Sequence, residues 1–242
     1  MLDTFKRGIP LYIQINELLV TKISSGEWPP GFLIPSEIKL TKDLAVSQGT
    51  VRKAITDLVE KNVLVRKQGK GTFVSNHDNE RALFHFFHIT DNNGNKLLPV
   101  SQVLSCRKKS ATRFEANTLN LAEDASVIRI ERVRNISSIP AIIETIVLPA
   151  LPFESLQDSD VDELPNMLYE LYEKQFGITI HSAEEKLRAA TASKREAKAL
   201  GIDVGTPLLE IERVALTLGK SPVELRISRC NTKQHHYQNT IY

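Results

Sequence analysis

The sequence contains few cysteines and no long apolar segment. Only Cys106 and Cys230 are cysteines among the 242 residues, and they lie far apart without the spacing of a metal site. This scarcity excludes a disulfide-stabilised secreted fold and predicts free thiols in a reducing compartment. No apolar run approaches the roughly 18 residues of a membrane span, and no signal-peptide pattern opens the chain. We therefore expect a cytoplasmic protein of one or two domains without a membrane partner.

Net charge is also nearly absent from the chain as a whole, but not from one part of it. The protein has 31 Lys and Arg against 29 Asp and Glu, which gives a formal charge of +2. Residues 39–70 alone carry eight basic and three acidic side chains, a net charge of +5. A charge count by itself more often reflects solvated surface than a binding site. A basic element in a nearly neutral chain is nevertheless the electrostatic pattern of a nucleic-acid contact.

The same part of the chain predicts two short helices joined by a tight turn. Ser36 can cap a helix that ends near Ala45, and Ser47 can cap the next one. In the second helix, apolar residues repeat at helical spacing and predict a buried stripe. The stripe consists of Val51, Ile55, Leu58 and Val59.

A basic hairpin follows the helix pair. Residues 63–65 and 72–74 predict two strands, and the segment between them is rich in Lys and Gly. Helix, turn, helix and hairpin in this order indicate a winged helix-turn-helix, which sets one helix into the major groove of DNA. The exposed polar residues of this unit are therefore the candidate DNA contacts: Ser36, Lys39, Ser47, Gln48, Thr50, Arg52, Lys53, Gln68, Gly69 and Lys70.

These residues resemble the GntR family of bacterial transcription regulators. The resemblance lies in Pro-Ser-Glu at residues 35–37, Thr-Val-Arg at residues 50–52 and Gln-Gly-Lys-Gly-Thr-Phe-Val at residues 68–74. It implies a homodimer that binds a double-stranded DNA operator. The chain departs from the family at Ile38, Gln48 and Gly49, where relatives usually have arginines and a larger residue.

Composition and pattern divide the chain into two domains. We predict a DNA-binding domain at residues 1–76, a polar linker at residues 77–82 and an effector-binding and dimerisation domain at residues 83–242. Helices are predicted at residues 111–121 and 166–176 and after the capping box of Ser193 and Glu196. Strands are predicted at residues 99–109, 126–136, 139–148, 178–192, 208–218 and 222–232. The fold class is therefore α+β, with a mainly antiparallel sheet and packed helices.

Alternation along the strands places charged side chains on inward faces. Arg132 and Arg134 share a face with isoleucines, and Glu144 does the same on the next strand. Glu224 shares a face with Arg226 on the last strand. Buried arginines need an anion, which is either one of these carboxylates or a bound ligand. The pattern alone leaves both possibilities open.

The second domain resembles the UTRA effector domain of the HutC-type GntR regulators, a fold related to chorismate lyase. Matching motifs are Arg-Val-Arg at residues 132–134, Ile-Pro-Ala-Ile-Ile-Glu at residues 139–144 and Ser-Pro-Val-Glu at residues 221–224. The resemblance implies an effector pocket formed by Arg132, Arg134, Glu144 and Glu224, with Phe87 and His88 at its edge. It also places Met167 and Cys230 where sugar-phosphate-binding relatives have a serine and a tyrosine.

The functional hypothesis is a transcription regulator, most simply a repressor, whose operator affinity depends on a small anionic metabolite. One alternative is a chorismate-lyase-like enzyme fused to a DNA-binding head, and another is a DNA binder without an effector. No catalytic residue and no cofactor are predicted. A metal site is not expected either, because His235, His236 and Cys230 lack ligand spacing. His85 and His88 lie where relatives place a pocket-edge loop and could contact an effector, but an ordinary structural role is the commoner one for such histidines.

Overall fold

The structure is a computed structural model that describes residues 8–76, 86–96, 98–158 and 164–240. The chain divides into two compact units, Met1–Asn76 and His77–Tyr242. The linker proposed at residues 77–82 lies outside the described residues, and so does His85. Among the helices that the structure describes, none is long and apolar enough to cross a membrane.

The first unit is a winged helix-turn-helix. Its elements are α1 (Leu11–Ser24), α2 (Glu37–Leu44), α3 (Gln48–Glu60), β1 (Leu64–Lys67) and β2 (Gly71–Val74). The two strands pair antiparallel and form the predicted hairpin. The α+β fold class is thereby confirmed for this unit.

Side-chain caps fix the N-terminal ends of α2 and α3. The Ser36 hydroxyl accepts from the Lys39 amide at 3.2 Å, and the Ser47 hydroxyl accepts from the Thr50 amide at 3.2 Å. Helix α2 ends because Ala45 adopts a left-handed conformation with φ of 54°. These contacts confirm the helix boundaries that the capping residues predicted.

The buried stripe of α3 differs from the prediction at one residue. Val51, Ile55 and Leu58 are buried as predicted, whereas Val59 is only half-buried. Ala54 is fully buried in its place. Ala54 follows Val51 by three residues and precedes Leu58 by four, so helical geometry puts it at the centre of the same face.

The second unit contains the remaining helices and strands. The strands are β3 (Ile89–Asp91), β4 (Val100–Ser110), β5 (Ser126–Ile136), β6 (Ile139–Pro149), β7 (Ser182–Thr191), β8 (Pro207–Leu216), β9 (Pro222–Cys230) and β10 (His235–Tyr237). The helices are α4 (Arg113–Thr118), a 3₁₀ helix (Leu151–Asp158), α5 (Leu168–Phe176) and α6 (Lys194–Leu200).

Within the described residues, six of these strands form one antiparallel sheet in the order β4-β5-β6-β9-β8-β7. The short strands β3 and β10 pair separately. One face of the sheet packs on the 3₁₀ helix and α5, and this core includes Ile128, Ile146 and Tyr172. The opposite face packs on α4 and on α6. The predicted antiparallel sheet with packed helices is thus confirmed.

Some elements are shorter than predicted or were not predicted. Helix α4 covers Arg113–Thr118 rather than residues 111–121, because Leu119 caps it and Asn120 takes a φ of 53°. Strands β3 and β10 have only three residues each, too few for alternation to be recognised. The 3₁₀ helix was not predicted from the sequence.

Candidate functional site

The first unit presents the ten predicted DNA contacts at three places that are adjacent in the fold. Nine are exposed, and Thr50 is half-buried. Ser36 and Lys39 lie at the start of α2, and Gln68, Gly69 and Lys70 form the tip between β1 and β2. The remaining five lie on the first turns of α3 or at its cap. This surface has the polar chemistry of a nucleic-acid contact.

Glu37 organises this surface through two arginines. Its carboxylate accepts from Arg52 Nε at 3.0 Å and lies 3.7 Å from a terminal nitrogen of Arg66. Arg66 also donates to the Thr56 hydroxyl at 2.9 Å. Glu37 therefore links α2, α3 and β1 and orients Arg52 on the exposed side of α3. The contacts of Glu37 with Arg52 and Arg66 were not predicted from the sequence.

The predicted contact Lys53 is also held from within the protein. Its ammonium lies 4.1 Å from the centre of the Tyr12 ring, a cation–π contact that fixes the direction of the side chain.

The wing depends on glycine at a specific position. Gly71 has φ of 118°, and a Cβ there would lie 2.7 Å from Leu33 Cδ1.

The second unit contains a cavity that is lined by both charged and apolar side chains and is partly open to solvent. Strands β5, β6, β8 and β9 form its floor, and the start of α5 and residues 86–89 form its walls. Its polar lining consists of His88, Arg132, Arg134, Glu144, Asn166, Tyr169, Arg213, Arg226, Ser228 and Tyr237.

Arg132 and Glu144 form a buried pair on neighbouring strands. Arg132 Nε donates to Glu144 Oε2 at 2.6 Å, and both side chains are almost fully buried. The second oxygen of Glu144 accepts from the Ser228 hydroxyl at 3.0 Å. Burial raises the pKa of Glu144, but Arg132, Arg226 and Arg134 outweigh burial and hold that pKa below its ordinary value. Glu144 is therefore ionised and paired.

Glu224 does not line the cavity, although the sequence proposed it as an effector contact. It is fully buried behind Arg226, which donates to its two oxygens at 2.9 and 2.8 Å. The hydroxyls of Tyr169 and Tyr172 donate to the same carboxylate at 3.1 and 2.8 Å. Burial and the charge of Glu224 raise the pKa of Tyr169 to about 12, so the phenol stays protonated. Glu224 therefore holds Arg226 in place, and it is the guanidinium of Arg226 that lines the cavity.

A third pair lies on the other side of the cavity. Arg213 Nε donates to Glu185 Oε1 at 2.7 Å, and a terminal nitrogen of Arg213 donates to the Phe86 carbonyl. The Tyr237 hydroxyl donates to the second oxygen of Glu185. These bonds attach residues 86–89 to β8 and β7. Arg213 was missed from the sequence, although it interrupts an apolar alternation between Ile211 and Ala215 that could have identified it.

Arg134 differs from the other three arginines because it has no anionic partner. Its Nε is buried without a hydrogen-bond partner, and the side chain forms no ion pair with any residue that the structure describes. The Phe87 ring lies 5.1 Å from the guanidinium carbon. Burial first, and the charge of Arg132 second, lower the pKa of Arg134 to about 9. The group remains charged at neutral pH, and Glu144, the opposite charge that acts on it, is already hydrogen-bonded to Arg132.

The surroundings of Arg134 are apolar. Phe87, Ile142, Ile211 and Cys230 belong to one buried cluster, with Met167 packed against it. Burial raises the pKa of the Cys230 thiol, so this side chain acts as a small apolar group. Met167 is the N-cap residue of α5 and makes no side-chain cap hydrogen bond. The uncapped start of α5 therefore lines the same cavity as Arg134, where a helix dipole favours an anion.

The structure thus brings seven of the eight sequence-proposed effector residues to one cavity: Phe87, His88, Arg132, Arg134, Glu144, Met167 and Cys230. Tyr169, Arg213 and Arg226 join them without having been proposed. The described residues contain no cluster of three or more His, Cys, Asp or Glu side chains arranged to hold a metal ion.

Comparison with known families covers both units. Residues 11–74 match the model of the bacterial regulatory proteins of the gntR family, and residues 95–236 match the UTRA domain. The HTH-type transcriptional repressor NagR of Bacillus subtilis is 33% identical over 206 residues, covering 85% of this chain and 84% of that protein. The histidine utilization repressor of Pseudomonas aeruginosa is 31% identical, covering 84% of this chain and 80% of that protein.

A solved structure agrees with these matches. A ligand-binding domain assigned to a GntR-family transcriptional regulator from Bordetella bronchiseptica superposes with a TM-score of 0.60 and 31% identity. The match covers 65% of this chain and 98% of that domain. With a winged helix-turn-helix at residues 11–74 and a UTRA domain at residues 95–236, the chain belongs to the HutC-type branch of the GntR family of transcription regulators.

Proposed function

We propose that this regulator is a homodimeric repressor whose affinity for its operator is lowered when a small anionic ligand binds at Arg134. Two similar proteins are repressors by name, and one of them acts in histidine utilization. The observation that carries the proposal is the buried, unpartnered guanidinium of Arg134 at a cavity beside the uncapped start of α5. An isolated buried charge is costly, and a bound anion would remove that cost.

The wall of the cavity includes residues close in sequence to the DNA-binding unit. Phe87 lies over Arg134, and Phe86 is held by Arg213. These residues belong to the segment that follows the first unit in the chain. A ligand that bonds to Arg134 would compete with the Phe87 ring for the guanidinium, and in this proposal that exchange favours a conformation with lower DNA affinity. Binding energy at the cavity is thereby coupled to DNA affinity.

The test is Arg134→Gln, which removes the charge and keeps much of the side-chain volume. We expect the variant to bind operator DNA as the wild type does, but to be released no longer by the ligand. Operator binding is measured by fluorescence anisotropy, with ligands drawn from a metabolite screen by thermal shift. Arg107→Gln, an exposed arginine on the opposite side of the sheet, is the matched control. A ligand response that persists in Arg134→Gln overturns the proposal.

A further inference from the structure

The charges around the cavity define how much negative charge its ligand carries. Four arginines and three glutamates lie in it or directly behind it. Three of the arginines have a carboxylate each: Arg132 has Glu144 at 2.6 Å, Arg226 has Glu224 at 2.8 Å, and Arg213 has Glu185 at 2.7 Å. One positive charge, that of Arg134, is left over. The site is therefore balanced by a single negative charge.

A second negative charge would find no matching cation. The nearest further arginines are already neutralised, and Glu144 lies on the strand next to Arg134, where it repels an additional anionic oxygen. A phosphate monoester carries close to two charges above its second pKa of about 6. A carboxylate carries one, and its two oxygens match the planar guanidinium in a bidentate pair.

The walls near Arg134 define the rest of the ligand. Phe87, Ile142, Ile211, Met167 and Cys230 line the same cavity as the guanidinium and contribute carbon and sulfur atoms to it. Hydroxyls of a sugar-like body that lie against these five side chains would find no hydrogen-bond partner there, which weakens binding. An aromatic or branched aliphatic body would lose no hydrogen bonds there.

We infer that the effector is a monocarboxylate with a compact apolar body, its carboxylate on Arg134 and its body against Phe87, Ile142 and Ile211. This inference rests on the proposed function, because it assumes that Arg134 binds the effector. It adds the charge of the ligand and the chemistry of its body.

The inference is tested with small probes that share one body and differ in charge. Benzoate, phenyl phosphate and benzamide, and 3-phenylpropanoate as a longer carboxylate, are titrated into the full chain at pH 8, and binding is followed by ligand-observed NMR and calorimetry. At this pH a phosphate monoester carries two charges and an ordinary histidine is neutral. We expect benzoate to bind roughly tenfold or more tightly than benzamide and phenyl phosphate, since one charge-assisted pair contributes about 1.5–3 kcal/mol.

Variants separate the two levels of the proposal. In Arg134→Gln the preference for benzoate over benzamide should vanish, whereas Arg107→Gln should keep it. If phenyl phosphate binds more tightly than benzoate and Arg134→Gln abolishes that binding, the inference is overturned while the proposed function stands. If Arg134→Gln binds all anions as the wild type does, the proposed function is overturned as well. Failure of both carboxylates to bind at millimolar concentration also overturns the inference.

Discussion

At the scale of single residues, the two arginines of the Arg-Val-Arg motif have opposite roles in stability. Arg132 compensates the charge of Glu144, whereas Arg134 is a buried charge without a partner. Arg132→Met should therefore lower the free energy of unfolding by about 3–5 kcal/mol, because it leaves a buried carboxylate poorly paired. Arg134→Met should leave it equal or higher. Thermal and urea unfolding of both variants check this contrast, and a large loss of stability in Arg134→Met contradicts it.

Glu144 makes the stability of the second unit depend on pH. Its pKa is lowered on folding below the ordinary value of 4.5, so the folded state binds fewer protons than the unfolded chain. The stability that it contributes is present above pH 4.5 and is lost as the pH falls through that value towards the folded pKa. Glu144→Gln lacks this contribution at every pH. The difference in unfolding free energy between wild type and Glu144→Gln should therefore shrink as the pH falls below 4.5.

Urea unfolding at several pH values measures this difference. Glu154→Gln is the matched control, because Glu154 pairs with Lys108 at 3.1 Å on the exposed surface. Its stability should follow that of the wild type throughout. A difference between wild type and Glu144→Gln that stays constant from neutral to acid pH would show that Glu144 does not act through its charge.

The same residues show what alternation along a strand can and cannot predict. A period of two correctly placed Arg132, Arg134 and Glu144 on one buried face, because the face follows from the pleat alone. It could not predict which arginine pairs with which carboxylate, because that depends on the register of β5 and β6, which places Arg132 opposite Glu144. The pair of Glu224 and Arg226 within one strand was equally unpredictable from the sequence, because each residue could instead have paired with a residue on a neighbouring strand.

At the scale of elements, α3 and the wing should contribute differently to DNA binding. Arg52 lies on the exposed side of α3, so Arg52→Ala should cost about 1–3 kcal/mol of operator affinity if it pairs with a guanine. Lys70 lies at the wing tip, so Lys70→Ala should weaken all sequences alike and reduce the salt slope by about one unit. Lys61→Ala, at the far end of α3 and paired with Asp57, is the control.

These effects are measured by titrating operator and non-operator duplexes over a range of salt concentrations. If Arg52→Ala and Lys70→Ala both bind as Lys61→Ala does, the assignment of this surface to DNA is wrong. Helix boundaries here were predictable because Ser36 and Ser47 cap locally. The tie between Arg52 and Glu37 was not, because it joins residues fifteen positions apart.

The start of α5 offers a second test at this scale. Met167 occupies the N-cap position without supplying a cap, and it packs half-buried against the apolar cluster of the cavity. Met167→Ser and Met167→Ala lose similar packing, but only serine can accept from a free amide of the first turn. We expect the serine variant to be more stable than the alanine variant by about 1 kcal/mol. Equal unfolding free energies would show that the start of α5 cannot accept a cap.

At the scale of the whole molecule, the sequence predicts two domains, and the structure forms two compact units that divide after Asn76. Length and composition could not predict the cavity. Its walls come from β5, β6, β8, β9, α5 and residues 86–89, which are distant in sequence and meet only through the strand order of the sheet. The charge balance of the cavity is likewise a property of the folded molecule and not of any motif.

The assembly of the molecule follows from the size of its DNA-binding unit. One winged helix presents a short recognition helix and a small wing, and a single module of this size discriminates weakly between sequences. Tight and specific binding needs two half-sites about one helical turn apart, read by two copies of the chain. We therefore expect the full chain to be a dimer in light scattering at micromolar concentration.

The same dimer should bind a selected operator with two protomers per duplex, and should bind a duplex in which one half-site is scrambled far more weakly. Ligand binding and DNA binding are thermodynamically linked. A ligand that lowers operator affinity must therefore bind less tightly to the DNA-bound dimer, by the same factor. Calorimetric titration of the ligand with and without saturating operator measures that factor directly. A chain that is monomeric in solution would contradict the proposed dimer. A ligand that releases DNA but binds equally well with and without operator would contradict the proposed coupling between the two sites.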